Sequence, residues 1–342
     1  LAGPDFAAGG LVIPQTREEL IAAVKTLVGI GTTVIPVGGG THIRHAFRPF
    51  AGGVAVSTAR LDRVIRIDPD DLSCIVEAGC TQRTLIDALR QLAREGGPHL
   101  RYAIDAWRQS GSTIGGEVAM DLPGTGWRGR GATREQVLGL TWINAAAEDC
   151  RIGARTVKDV AGYDLTRLLC GSWGTLGVIA DVTLRLEPAP ECEAVLIAYA
   201  GRDLARATDF AAAVRRTAET FVVEVVVADG YAAAAEGHAI TADTGDWRVV
   251  IGLAGAAEDV AHWRGVVSCL ADGSSLRSEI VDGNAARQAL EAARHAHAQA
   301  WASTLLAARH AAAAGSRLQG NAPADSAGAV LAKKIKSQLD PN

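Results

Sequence analysis

The chain has 342 residues, enough for two domains with cores of their own, and its 48% hydrophobic and 21% charged content is that of a globular protein. A formal charge of -4 supplies no field for a polyanion, which argues against nucleic acid as a partner. The cysteines at 74, 80, 150, 170, 192 and 269 include no C-x-x-C pair, which argues against structural zinc, a cysteine-held cluster or a disulfide scaffold, and fits a reducing cytosol.

No apolar run is long enough to span a bilayer, so no transmembrane segment is expected. The opening LAGPDFAAGG has neither the basic nor the apolar region of a signal peptide, and the only methionine is Met120. The expected location is cytoplasmic, or peripheral at the inner membrane through partners, and the sequence reads as a fragment or a trimmed product.

In chain order, QTREELIAAVKTLV (15–28) is an amphipathic helix. Thr16 and Glu19 have capping-box spacing, and Leu20, Ala23, Val24 and Leu27 form its apolar stripe. TTVIPV (32–37) is a buried strand running straight into Gly38-Gly39-Gly40-Thr41. Residues 53–68 supply a strand, a turn and a second strand, and SCIVEAGC (73–80) a third. Thr81 then caps a helix that stops at Gly96-Gly97. Next, Gly111, Gly115 and Gly116 surround Ser112-Thr113-Ile114, with a small helix expected to begin near Gly116. Residues 121–135 are a polar loop rich in Gly and Arg, and VLGLTWINAAAEDCRIG is a hairpin turning at AAAED. The segment 153–188 gives a tight turn, a short helix, and a loop with Gly171, Gly174 and Gly177. A strand follows, expected to place Val178, Ala180, Val182, Leu184 and Leu186 on one face.

After Pro188 the texture changes. Strand 193–200, helix 203–218, strand 221–228, strand 247–255, helix 256–270 and strand 275–282 make a β-α-β-β-α-β series, a ferredoxin-like unit. The Pro-Ala-Pro near 188–190 marks a domain boundary. A helix follows the last strand, and an Ala- and Gly-rich loop from 311 leads to the helix VLAKKIKSQL.

Three glycine-rich loops in one α/β region suggest an extended anionic cofactor. VGGGTH sets consecutive backbone N–H groups after a strand, a nest that can hold a pyrophosphate without a basic side chain. No Gly-Lys-Ser/Thr follows, so it is not a Walker A loop, and Ile43 breaks G-x-G-x-x-G, so a nicotinamide-type Rossmann site fails on its own signature. A plain structural hairpin stays open for the three glycines alone.

Four stretches, VGGGTHIRH, GSTIGGEVAMDLPG, GARTVKDVAGYDLTRLLCGSWGTLGVI and KIKSQLDPN, together resemble the vanillyl-alcohol oxidase/p-cresol methylhydroxylase superfamily of FAD proteins. Within it the similarity is greatest to FAD-binding subunits of glycolate oxidase, with the D-lactate dehydrogenase branch next. The resemblance implies an α+β fold: a two-subdomain FAD-binding domain over 1–188, the ferredoxin-like unit as a cap over 189–310, and a segment over 311–342 returning to the first domain.

It also implies non-covalent FAD and a set of cofactor-binding residues. Gly38, Gly39, Gly40, Thr41 and His42 match the loop that wraps the pyrophosphate. Ser112, Thr113, Ile114, Gly115, Gly116 and Ala119 match the second phosphate- and flavin-contacting segment. Gly124, Gly131 and Arg134 match the loop bordering the isoalloxazine, while Asp159, Val160, Gly162, Tyr163, Gly177, Val178 and Ile179 match segments lining the flavin and adenine ends.

The sequence departs from this pattern at Arg130, Trp173 and Glu135. Trp173 is expected to pack on the cap, with stacking on a ring as the alternative. Arg128, Arg130 and Arg134 suit a substrate carboxylate as well as they suit a solvated basic loop.

No catalytic residue is assigned and no metal is expected. The His-rich metal motif of the lactate branch has no match, and His295 and His297, two apart on a helix, do not share a face. His262 and His310 have no recognisable partner. The expectation is therefore an FAD-binding subunit of a 2-hydroxy-acid dehydrogenase complex, with a small 2-hydroxy acid as substrate. Its partners would be a catalytic flavin subunit and an iron–sulfur subunit. The alternatives are a self-sufficient FAD-dependent dehydrogenase and a flavin-free structural subunit.

Overall fold

A computed structural model describes residues 6–41, 50–102, 111–121, 132–153, 165–220, 222–227, 246–281 and 289–290. Outside these lie His42, Gly124, Gly131, Asp159, Val160, Gly162 and Tyr163 among the expected site residues, and also Arg128, Arg130, His295, His297 and the whole of 311–342.

The chain opens with β1 (Phe6–Val12), α1 (Arg17–Gly29) and β2 (Val34–Val37), joined by β3 (Phe50–Ser57) in a three-stranded parallel sheet of order β1-β3-β2. Strand β1 is missing from the sequence reading because its central Gly9-Gly10 carries no strand preference; pairing with β3 across two register shifts supplies its order. Helix α1 starts where its cap predicts. The Thr16 hydroxyl accepts from the Glu19 N–H at 3.2 Å, and the Glu19 carboxylate reaches back to the Gln15 N–H at 2.8 Å, one residue before the usual partner.

The second sheet takes β4 (Val64–Asp68), β5 (Ser73–Glu77), β7 (Val137–Ile143), β8 (Asp149–Gly153) and β9 (Val178–Pro188) in the antiparallel order β4-β5-β9-β7-β8, with β6 (Leu100–Tyr102) on the end of β9. Helix α2 (Gln82–Arg94), capped by Thr81, covers it. Two short helices, α3 (Ile114–Met120) and α4 (Thr133–Gln136), precede β7, and α5 (Leu165–Leu169) precedes β9. Helix α3 begins two residues before the expected Gly116, because the Thr113 hydroxyl caps it by accepting from the Gly116 N–H at 3.3 Å.

Strand β9 corrects the single-face expectation. A register shift against β7 falls where Thr141 pairs with Asp181 but Trp142 pairs with Ile179. The extra residue turns Val178 and Ala180 toward α1, while Val182, Leu184 and Leu186 face the core under α2. One strand thus feeds two cores. The first joins Leu20, Val24 and Leu27 of α1 to Val56 of the parallel sheet and Ile143, Val178 and Ala180 of the antiparallel one. Asp181, at the shift, is left beside α1, where Arg17 Nη1 bonds it at 2.9 Å and Arg17 Nη2 bonds both oxygens of Asp149 at 2.6 and 2.7 Å.

From Cys192 onward a separate four-stranded antiparallel sheet forms from β10 (Cys192–Gly201), β11 (Val222–Val227), β12 (Trp247–Gly255) and β13 (Arg277–Val281), in the order β11-β12-β10-β13. Helices α6 (Leu204–Thr217) and α7 (Ala257–Gly273) cover the face made by Ala194, Leu196 and Ala198, so the β-α-β-β-α-β series has ferredoxin-like topology. On the other face Val195, Ile197 and Val250 meet Ala289 and Leu290. At its far end Tyr199 donates to Glu279, and the Arg248 and Arg277 guanidiniums lie 5.2 and 5.4 Å from the Tyr199 ring centre. His262 is exposed on α7, edge-on to Trp263. The architecture is α+β, as the resemblance implies.

Candidate cofactor site

The glycine segments converge on α3, one at each end. At its start, the turn after β2 lies against the segment that leads into the helix. The contact is so close that a Cβ on Gly39 would stand 1.6 Å from the Gly111 carbonyl oxygen, and one on Gly38 would stand 2.1 Å from the Thr113 hydroxyl. Gly40 and Gly111 both take positive φ, +74° and +89°, a region that L side chains avoid. Thr41 and Ser112 bring their hydroxyls within 3.3 Å of each other. The Ile114 and Gly115 amides bond back to the carbonyls of Cys80 and Ala78, both at 2.8 Å.

At the other end, α3 finishes at Asp121, whose φ of 50° and ψ of 49° are left-handed. The carbonyls of Val118 and Ala119 receive the amides of Gly171, at 3.0 Å, and Trp173, at 2.8 Å, so the GSWGTLG loop is tied to the end of the helix. Trp173 itself has a φ of 57° and packs on the core that includes Val118, Met120 and Cys170. These two backbone bonds hold its loop against that core. Arg134 reaches Asp121 from α4: its N–H bonds Oδ1 at 3.0 Å and its Nε bonds Oδ2 at 2.6 Å. That carboxylate raises the guanidinium pKa above its ordinary value.

Gly38 to Thr41 and Ser112 to Gly116 are therefore brought together at one end of α3, and Ala119 and Arg134 lie at the other. Seven helical residues rise about 10 Å, so a single extended dinucleotide can touch both groups. Gly177, Val178 and Ile179 are placed differently. Val178 and Ile179 pair with Ile143 and Trp142 and bury their side chains in the two cores, and a Cβ on Gly177 would stand 2.3 Å from the Ile143 carbonyl oxygen.

The residues present fit an extended phosphate-bearing group. Two loops that meet through glycines bring the Thr41 and Ser112 hydroxyls together, and the hydroxyl that accepts in that pair keeps a proton that a phosphate oxygen can take. Among the described residues none accepts a bond from the Gly39, Gly40 or Thr41 amides, which remain as backbone donors beside those hydroxyls.

Two acidic residues of this region carry no role in the sequence reading. Glu117 is fully buried, on the same side of α3 as Ile114 and Val118, and its negative charge adds to the effect of burial in pushing the Tyr102 hydroxyl pKa upward. The spacing of three from Ile114 and one from Val118 was the available signal, since it puts Glu117 on the core stripe. Asp121 had no local signal, because its partner Arg134 is thirteen residues away. Nearby, burial pushes the Cys74 and Cys80 thiols up to about 12, so both stay protonated and neither is a nucleophile. Among the described residues no three His, Cys, Asp or Glu side chains are grouped to hold a metal ion, and no helix is long and apolar enough to cross a membrane.

Comparison with known proteins agrees with this geometry. The FAD binding domain family matches residues 8–153. The glycolate oxidase subunit GlcD of Bacillus subtilis is 31% identical over 58% of this chain and 41% of its own length. The mitochondrial D-lactate dehydrogenase [cytochrome] of Arabidopsis thaliana is 32% identical over 55% of this chain and 32% of its own. The chain thus spans less than half the length of these curated relatives. Among solved structures, 4-ethylphenol oxidase from Gulosibacter chungangensis shares the fold with a TM-score of 0.69 at 17% identity, over 87% of this chain and 65% of that one. Over residues 8–153 the chain thus matches an FAD binding domain, and its fold is shared with that oxidase.

Proposed function

We propose that this chain is the FAD-binding subunit of a dehydrogenase complex that oxidises a small 2-hydroxy acid, glycolate or D-lactate in kind. The observation that carries the reading is the convergence of the glycine segments at the two ends of α3, a helix inside the matched FAD binding domain. The relatives, a glycolate oxidase subunit and D-lactate dehydrogenases, supply the substrate class.

The Gly40 and Thr41 amides and the Thr41 and Ser112 hydroxyls would hold the pyrophosphate, and Arg134 would border the flavin end. When bound, FAD supplies the two-electron acceptor needed at a hydroxyl-bearing carbon. The chain's own contribution is to bind and orient. Tyr102, Cys74 and Cys80 lie buried behind α3 with raised pKa values and hold their protons at neutral pH, which does not suit them as bases for a substrate hydroxyl. This favours a subunit that works beside a catalytic flavin subunit and passes electrons to an iron–sulfur partner, in the cytoplasm or at the inner membrane. The division into an FAD-binding region to 188, a cap to 310 and a returning segment to 342 belongs to the same proposal. With an FAD binding domain matched, the flavin-free scaffold is not favoured.

The test is anaerobic flavin reduction by glycolate and D-lactate, first with this chain alone and then with its coding neighbours. Loss of a general base typically slows a reaction about 100- to 10,000-fold. Slow bleaching alone and fast bleaching with partners is expected. Fast bleaching by the isolated chain would replace the subunit reading with the self-sufficient dehydrogenase.

A further inference from the structure

We propose that Asp121 is a positioning residue for the cofactor site, acting through Arg134. The inference rests on the FAD reading above. Asp121 ends α3 in a left-handed conformation, which points its carboxylate across the end of the helix toward α4. There it accepts from the Arg134 backbone N–H as well as from Nε, and Nη2 is paired with it too. One carboxylate thus fixes both the backbone of α4 and the plane of its guanidinium.

The fork has a direction. With Nε and Nη2 turned to Asp121, the Arg134 edge that the described residues leave uncommitted is Nη1, and the guanidinium keeps a solvent-accessible side. Gly171 is part of the same corner: a Cβ there would stand 3.3 Å from the Asp121 Cβ and 3.8 Å from Arg134 Nη2. Since Gly171 also donates to Val118, the corner gathers the end of α3, the start of α4 and the GSWGTLG loop around one ion pair. A planar, permanently charged group locked on one edge presents the other edge in a fixed orientation, which suits an anionic or carbonyl oxygen of the cofactor.

The competing account is that Asp121 merely neutralises Arg134 and withholds its charge from any anion. The two accounts predict opposite signs. Asp121→Asn keeps a side chain that tolerates the left-handed backbone and removes the charge. If Asp121 positions Arg134, the variant weakens FAD binding, measured by titration of the apoprotein and flavin fluorescence, by on the order of tenfold. Arg134→Ala should lose a similar factor, and the double variant should lose no more than either alone, because Asp121 acts only through Arg134. The thermal midpoint of the apoproteins shows whether the fold is intact, and it should move little because the guanidinium is half exposed.

Tighter FAD binding by Asp121→Asn would overturn the proposal in favour of neutralisation, and unchanged binding would overturn it outright. So would additive losses in the double variant. Failure of the unaltered protein to take up FAD would instead sink the cofactor reading beneath it.

Discussion

At the scale of residues, the glycines of the first two loops are needed for a reason the sequence does not give. Consecutive glycines suggested bare backbone facing phosphate. In the structure Gly38 and Gly39 face Thr113 and Gly111, so their missing side chains let one loop lie on the other. The groups proposed to hold the cofactor are set in place by that contact, the Thr41 and Ser112 hydroxyls among them. A methyl group added at Gly39 would stand 1.6 Å from a carbonyl oxygen, whereas one at Gly116 would meet nothing nearer than the Thr113 hydroxyl at 3.2 Å. Gly39→Ala should therefore lower the thermal midpoint even without FAD and abolish the shift that FAD produces. Gly116→Ala, which replaces a helical glycine, should leave the apoprotein as stable or gain up to about 1 kcal/mol. Equal behaviour of the two variants in thermal melts with and without FAD would contradict this.

At the scale of elements, the helices and most strands were legible because their signals are local. Thr16 and Thr81 cap the helices they announce, and the β-α-β-β-α-β alternation is the ferredoxin-like topology observed. What was not legible depends on distant neighbours. Strand β1 is ordered by β3, more than forty residues on, and the turn of β9 from one core to another depends on a register shift against β7. Asp181 sits at that shift, and its consequence can be measured. Burial raises its pKa above the ordinary 3.8, and this outweighs the nearby Arg17; Glu77 and Asp149 raise it further and Arg151 lowers it. A carboxyl whose folded pKa is raised favours the fold while protonated, and that contribution is lost as pH rises through the folded value. At pH 7 Asp181 is ionised at a cost. Asp181→Asn, which keeps an acceptor for Arg17, should match or exceed the parent's thermal midpoint at pH 7, and this advantage should shrink toward pH 4. Asp149→Asn, removing half of an exposed pair, should cost less than about 1 kcal/mol. A clear loss of midpoint in Asp181→Asn at pH 7 would show that the Arg17 bond outweighs the burial.

At the scale of the whole molecule, the two sheets before Cys192 are held through α1, and the proposed site is assembled from loops whose glycines are spaced along more than a hundred residues. The order of the motifs made the cofactor legible, although no single motif did, because each loop is ordinary until it meets α3. Such a site should be stabilised mainly by its ligand. A cofactor that binds only the folded chain adds about 4 kcal/mol at a thousandfold excess over its dissociation constant. For a chain of this length that is a rise of several degrees in the thermal midpoint. The rise should be largest for unfolding of these two sheets. The four-stranded sheet has its own core around Leu196, Ile251 and Phe210, and it should respond less. Hydrogen exchange with and without FAD separates the two: protection should increase in α3 and the segments tied to it, with β10 and β12 changing little. Acid precipitation should then release the flavin into the supernatant, as the proposed non-covalent attachment requires. Colour retained in the pellet would mean a covalent tether, and protection that rose equally in both sheets would mean that the cofactor is held across the whole molecule and not at α3.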